Sequence, residues 1–198
     1  MKKNLSESAN QVFPSSQQIE KELARISGGA KPRSPLKTLI LVLIVSAAVV
    51  ILITSLLCPV VRVSGSAMQP NLNNDDVSLA IKTDDLKQGD VCCFYNNNNL
   101  FVRRVIGVPG DVINIEKDGT VYVNDQALDE TYITEKALGD CDIEFPFTVP
   151  ESTYFLLGDN RPASKDSRIS EIGPVSKDRI VGKLLVKVWP VYSIGIVD

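Results

Sequence analysis

From Thr38 to Leu57 the chain runs for twenty residues without a charge, TLILVLIVSAAVVILITSLL. At about 1.5 Å per residue, a helix of that length crosses a hydrocarbon core of roughly 30 Å. The run is too long for the core of a cleavable signal peptide. It also follows 37 other residues and closes on LLCP, with no small-residue cleavage site. The pattern predicts a transmembrane helix over 38–57. Ahead of it, SSQQIEKELARIS (15–27) sets Ile19, Leu23 and Ile26 on one helical face, with Ser15 and Gln18 spaced as a capping box and Gly28-Gly29 as a stop. This reads as a short amphipathic helix for a partner or the membrane surface, or as a weakly ordered tail. GGAKPRSP then links it to the span.

Past Pro59 the period shortens to two. VSLAIK (77–82), DVCCFY (90–95), LFVRRVIG (100–107), VINIEK (112–117) and TVYVN (120–124) are short and rich in β-branched residues, and FTVP, TYFLLG and IVGKLLVKVWP follow. The Asn96–Asn99 run, Pro109-Gly110-Asp111, Asp118-Gly119 and Asn124-Asp125 punctuate them. Asp118-Gly119 between alternating strands is a strong hairpin signal. No long amphipathic helix and no repeat is written into this half. Three parts result: a tail over 1–37, the span over 38–57, and a mostly β domain of ordinary size over 59–198.

Charge orients the span. Seven Lys/Arg lie in residues 1–37, with Lys31, Arg33 and Lys37 close to the apolar run, against Arg62 alone just beyond it. The positive-inside rule places the N-terminus in the cytoplasm and the C-terminal domain outside, in a single-pass cell-membrane protein. From Pro59 on, 14 basic and 21 acidic residues give a net charge of −7, which disfavours nucleic acid as a partner. The chain has no histidine, so histidine catalysis is out. Without a CxxC among Cys58, Cys92, Cys93 and Cys141, no metal site is expected. No cofactor is implied. Neighbouring Cys92 and Cys93 point to opposite faces of a strand, so at most one could meet Cys141. Small buried apolar residues are the simpler expectation.

The candidate chemistry lies in VSGSAMQPNL (63–72), FVRRVIGVPGD (101–111) and LGDNRPASKDSRISEIG (157–173). With QGDVCCF (88–94) between the first two and IVGKLLVKVWP near the end, the set resembles bacterial type I signal peptidases. These are membrane-anchored serine endopeptidases that remove signal peptides from exported proteins. The resemblance runs from about residue 37 to residue 190. It implies a signal-peptidase-like antiparallel β ectodomain behind one N-terminal transmembrane helix. It also implies a Ser/Lys dyad, the serine directly before Met in S-M-x-P and the lysine directly before Arg in K-R-x-x-G-x-P-G-D. Met68 and Pro70 match the first pattern, which puts Ala67 at the nucleophile position. Arg104, Gly107, Pro109, Gly110 and Asp111 match the second, which puts Arg103 at the general-base position. Gly158, Asp159, Asn160, Arg161, Ser164, Asp166, Ser167, Arg168 and Gly173 match the third stretch. By the same resemblance Ser164 hydrogen-bonds the base, Arg104 pairs with Asp159, and Asp166 pairs with Arg168. Gly65, Ser66, Met68 and Pro70 belong to the substrate-binding loop, whose backbone N–H groups help hold an oxyanion.

A methyl group cannot attack a carbonyl, and a guanidinium with a pKa above about 12 does not act as a base at neutral pH. The expectation is therefore a signal peptidase family protein without peptidase activity. It would bind signal-peptide-like extended segments by strand addition, its partners being signal peptides or exported proteins and the membrane. Three alternatives stand beside it. One is an active endopeptidase with a displaced nucleophile, Ser66 being nearest, with Ser64 and Ser164 further candidates. Another is an engineered, inactivated form of an active one. The third is an interaction module whose base pocket is filled by Arg103, paired there with a carboxylate. Lys165 is expected to be solvated.

Overall fold

The computed structural model describes residues 15–27 and 35–197. The expected tail over 1–14 and the linker over 28–34 lie outside the described residues. Two compact units are present, Met1–Ile51 and Leu52–Asp198.

Helix α1 (Ser16–Ser27) starts on the capping box read from the sequence. The Ser15 N–H donates to Gln18 Oε1 at 2.9 Å and the Gln18 N–H donates to Ser15 Oγ at 3.4 Å and to Ser15 O at 2.8 Å, the reciprocal contacts of a capping box. Helix α2 (Pro35–Leu57) has 23 residues, about 35 Å at a rise of 1.5 Å. It begins three residues before the uncharged run, with Pro35 at the first helical position, where no N–H is needed. Over Pro35–Leu52 the mean hydropathy is 2.5 and none of the segment is buried. This helix is long and apolar enough to cross a membrane.

The second unit is built from antiparallel strands: β1 (Val60–Arg62), β2 (Val77–Ile81), β3 (Val91–Asn96), β4 (Asn99–Gly107), β5 (Val112–Ile115), β6 (Val121–Val123), β7 (Gln126–Ala127), β8 (Phe147–Thr148), β9 (Thr153–Leu157), β10 (Val175–Ser176), β11 (Ile180–Trp189) and β12 (Gly195–Ile196). The larger sheet has eight strands in the order β1-β2-β11-β3-β4-β9-β10, with β12 on β11; the smaller has the order β7-β6-β5-β8. The fold is mostly β, as the alternation predicts. The hairpins fall where the turn signals stand. Asp118-Gly119 joins β5 to β6, with Ile115 opposite Val121. Asn97 and Asn98, at φ 47° and 64°, close β3 onto β4 between paired Asn96 and Asn99. A two-residue loop there needs left-handed backbone twice, which asparagine adopts more readily than other residues with a Cβ.

Strand β3 explains the core. Val91, Cys92, Cys93 and Phe94 are all buried, so both faces of the sheet are covered. Val91 and Cys93 join Val61, Val63, Met68, Leu72, Val102 and Leu184. Cys92 and Phe94 join Val105, Tyr154 and Leu156 on the other side. The vicinal cysteines therefore point apart, as expected, and all four cysteines are free. A third cluster, with Ile106, Ile113, Val121, Phe155 and Leu157, fastens the small sheet to the ends of β4 and β9. Two of these clusters hold the frame of the candidate site: the first carries Met68 and Leu72, and the third flanks Gly158.

Candidate active site

The first stretch is a loop pinned at its base. The Val63 N–H donates to Asp76 O at 2.8 Å and the Asp75 N–H donates to Val63 O at 2.9 Å. Gly65, at φ 84°, donates its N–H to Asn74 Oδ1 at 2.7 Å. Met68 and Leu72 turn inward and are buried in the core. Their burial holds the loop outward, with Ser66 exposed and Ala67 half-buried beside it. Of the residues expected to bind substrate, Gly65, Ser66 and Pro70 are exposed, whereas Met68 is a core anchor.

The second stretch lies on β4, where neighbouring Arg103 and Arg104 point to opposite faces. Both are buried, so neither is a solvent-facing strand residue. Arg104 grips Asp159 with a two-pronged fork, Nε to Oδ1 and Nη2 to Oδ2, both 2.8 Å, and its Nη1 donates to Gly89 O at 2.9 Å. The third stretch wraps back onto this pair. Asp166 and Arg168 form a second fork at 2.8 Å in each prong. Asp166 also accepts the Gly158 N–H at 3.0 Å. Each carboxylate thus meets several donors, the condition under which a buried ion pair survives desolvation.

Gly158 is where the first and third stretches touch. A Cβ there would collide with Ser164 Oγ and lie 2.6 Å from Ala67 O, so only glycine fits. The Asn160 N–H donates to Ala67 O at 2.9 Å, and Asn160 Nδ2 donates to Ser66 O at 3.1 Å. The structure thereby brings together Ala67, Gly158 and Ser164.

Arg103 departs from expectation. The interaction-module alternative pairs it with a carboxylate, yet no carboxylate bonds it. Its Nε and Nη2 donate to Lys165 O at 3.0 and 2.6 Å, and its Nη1 donates to Val102 O at 2.6 Å. The nearby acids Asp159 and Asp166 are already held by Arg104 and Arg168, which leaves backbone carbonyls as acceptors. Arg103 is only 6% exposed. Burial pushes its pKa down to about 10, with Asp166 opposing that shift. It is still a cation at pH 7. Ser164 Oγ, 3% exposed for the residue, is buried with no hydrogen-bond partner. The Lys165 side chain is exposed, as expected.

Three further residues complete the site, Glu130 and Tyr132 without any sequence signal and Asn71 inside the first stretch. Glu130 pairs with Arg161, both buried. The Tyr132 ring lies 4.1 Å from Arg104 Cζ, and its hydroxyl donates to Glu130 Oε1 at 3.0 Å. Asn71 Nδ2 donates to Asp159 Oδ2 at 2.7 Å and to Tyr132 O at 2.9 Å. Glu130 and Tyr132 sit in an irregular stretch with neither period nor turn motif, so only the fold reveals their partners. The half-buried lysines of β11 are engaged as well, Lys183 with Asp90 at 2.6 Å and Lys187 with Asp76 at 3.3 Å. Among the described residues, no cluster of His, Cys, Asp or Glu could hold a metal ion.

Antiparallel sheets braced by buried Arg–carboxylate forks, with an apolar helix at the N-terminal end, make up the signal peptidase I fold. The chain belongs to the family described as signal peptidase, peptidase S26, whose model matches residues 36–189. It is 38% identical over 149 residues to signal peptidase IB of Staphylococcus aureus, covering 65% of this chain and 76% of that protein. It is 32% identical over 146 residues to the probable signal peptidase I-2 of a Synechocystis species, covering 68% and 64% respectively. Among solved structures, a signal peptidase I from Enterococcus faecalis V583 aligns with a TM-score of 0.42 and 31% identity, over 50% of this chain and 97% of that one.

Proposed function

We propose that this member of the signal peptidase family receives signal-peptide-like extended segments of exported proteins and does not cut them. The observation that carries the reading is the pair Ala67 and Arg103: a methyl group at the nucleophile position, and a buried cation bonded to Lys165 O at the base position. Serine needs a neutral base beside it to become a nucleophile, and a guanidinium that stays charged at pH 7 accepts no proton. Lys183 and Lys187, held in ion pairs, offer no substitute. The frame around the pair is complete, with Gly158, Ser164, Asp166, Arg168, Arg104 and Asp159 all buried. A frame kept in order without its reactive pair suits binding. In this reading α2 crosses the cell membrane once, with the basic N-terminal tail in the cytoplasm and the β domain outside.

The test is incubation of the purified full-length chain with a secretory precursor, beside Ala67→Ser, Arg103→Lys and the double variant. The expected result is no cleavage by the unmodified chain, little by either single variant, and measurable cleavage by the double variant. Cleavage by the unmodified chain that Ser66→Ala abolishes would establish a displaced nucleophile and overturn the reading. Binding is tested separately, by photo-crosslinking a signal peptide to the loop around Ser66.

A further inference from the structure

Charge bookkeeping inside the site does not close. Four guanidiniums are buried there, Arg103, Arg104, Arg161 and Arg168, against three carboxylates, Glu130, Asp159 and Asp166. The carboxylates pair one to one with Arg161, Arg104 and Arg168. Arg103 is the cation left over, held only by carbonyl oxygens of Lys165 and Val102 and flanked by the Phe101 ring 5.2 Å from its Cζ. Its strand partner Cys92 is no substitute anion, because burial and the neighbouring Cys93 hold that thiol protonated. Three of the five N–H donors of the guanidinium are engaged, so two are free to meet a ligand. The residue before Lys165 is Ser164, whose buried hydroxyl is likewise without a partner. That hydroxyl and Ala67 O both border the space where a Gly158 Cβ would stand. The unpaired cation, the orphan hydroxyl and the half-open Ala67 position therefore adjoin.

An uncompensated buried cation next to an orphan hydroxyl and the half-buried Ala67 is matched by an anion that a ligand brings with it. We infer that the site binds peptides ending in a free α-carboxylate, with the carboxylate lodged between Arg103 and the Ala67–Ser164 corner. A general-base lysine must be neutral to work, and a neutral amine does not draw an acid. A permanent guanidinium reverses that preference, and its planar donors suit a carboxylate. The ligand class is the fragment that peptide-bond hydrolysis leaves behind, so a hydrolase acting on an exported chain would have to supply it. The inference rests on the proposed reading of the chain as a binder of extended segments.

The experiment is fluorescence anisotropy on the full chain in detergent micelles. Two labelled peptides with an apolar stretch ending in Ala-Gln-Ala are compared, one as the free acid and one as the C-terminal amide. The acid is expected to bind about tenfold tighter or more, the scale of one charge-assisted hydrogen bond. Arg103→Gln is expected to abolish that preference, and Arg103→Lys to keep part of it. Equal affinity for acid and amide overturns this inference and leaves binding of extended segments standing. Binding of neither peptide overturns both. The acid–amide comparison needs no variant, so a folding defect in Arg103→Gln would not leave the matter open. A preference that survives in a folded Arg103→Gln protein overturns the assignment to Arg103.

Discussion

Arg103 hangs its guanidinium on the carbonyl oxygen of Lys165, at 3.0 Å from Nε and 2.6 Å from Nη2, one residue past Ser164. The guanidinium makes no bond to the Ser164 hydroxyl, which is buried without a partner. An unpartnered hydroxyl carries a desolvation penalty of about 1–3 kcal/mol with nothing to offset it. Ser164→Ala is therefore expected to be neutral or to stabilise the chain by about 1 kcal/mol, a rise of a few degrees in Tm for a protein of this size. In an Arg103→Lys background an ammonium can meet the hydroxyl, and the same substitution should then destabilise by about 1 kcal/mol. Thermal unfolding of the four variants reads this change of sign directly. A loss above 1 kcal/mol in the unmodified background would mean that the hydroxyl has a partner.

The fork between Arg104 and Asp159 behaves differently, because both members are buried and each is matched by the opposite charge of the other. Asp159→Asn removes the charge and leaves Arg104 unmatched beside Tyr132 and Gly89 O. Breaking a buried pair from one side typically costs about 3–5 kcal/mol. Urea unfolding should show a loss of that order. A loss under 1 kcal/mol would show that the pair is dispensable to the frame.

The alternation past Pro59, the hairpin at Asp118-Gly119 and the Asn96–Asn99 loop were legible because each rests on a local rule, a period of two or a residue tolerant of positive φ. The forks Arg104–Asp159 and Asp166–Arg168 were legible only through the resemblance. The third pair, Glu130–Arg161, was not legible at all. Its members stand 31 positions apart, and Glu130 lies in a stretch that neither alternates nor turns by any motif. The acceptors of Arg103 were missed for a related reason. Charge complementarity predicts a carboxylate, but every acid within reach is already held by another arginine. Two-residue strands such as β7, β10 and β12 also escape, since no period can be read from two positions.

Glu130 and Arg161 supply a second pair to test. Arg161 also donates from Nε to Gly158 O at 3.1 Å, so the pair braces the glycine that seats Ala67. A double-mutant cycle of Glu130→Gln and Arg161→Gln is expected to give a coupling energy within about 0.5–3 kcal/mol. Each single variant should also weaken binding of a signal-peptide probe while leaving the far-UV circular dichroism unchanged. Additive losses would mean that the two residues do not act as a unit.

Gly158→Ala places a methyl group against Ser164 Oγ and Ala67 O. The obstruction on one side is backbone, so the loop from Ser66 to Pro70 must shift. Overpacking of this kind costs about 1–3 kcal/mol. A 1 Å displacement should also lower peptide affinity, and the double variant Ala67→Ser/Arg103→Lys should lose what cleavage it has when Gly158→Ala is added. Unchanged affinity in the folded variant would show that the contact between the two loops does not shape the cleft.

Cys92 and Cys93 give the chain an alkaline limit. Burial raises the Cys92 thiol far above its ordinary value, with Cys93 adding to the shift, and burial raises Cys93 to about 11. Both groups are acids whose folded-state pKa lies above the unfolded one, near 8.5. Between about pH 9 and pH 11 the unfolded chain releases these protons and the folded chain keeps them. The unfolded state then binds fewer protons, so stability falls as pH rises, by up to about 1.4 kcal/mol per pH unit for each thiol. Urea midpoints measured from pH 8.5 to about pH 9.5 should drop along that slope, before the Tyr132 phenol, also raised by burial, adds a comparable loss nearer pH 10. Cys92→Ala with Cys93→Ala should flatten the slope. In native protein at pH 8 a thiol reagent should modify the partly exposed Cys58 and Cys141 first. A midpoint that holds constant to about pH 9.5 would show that the two thiols are not sealed in the core.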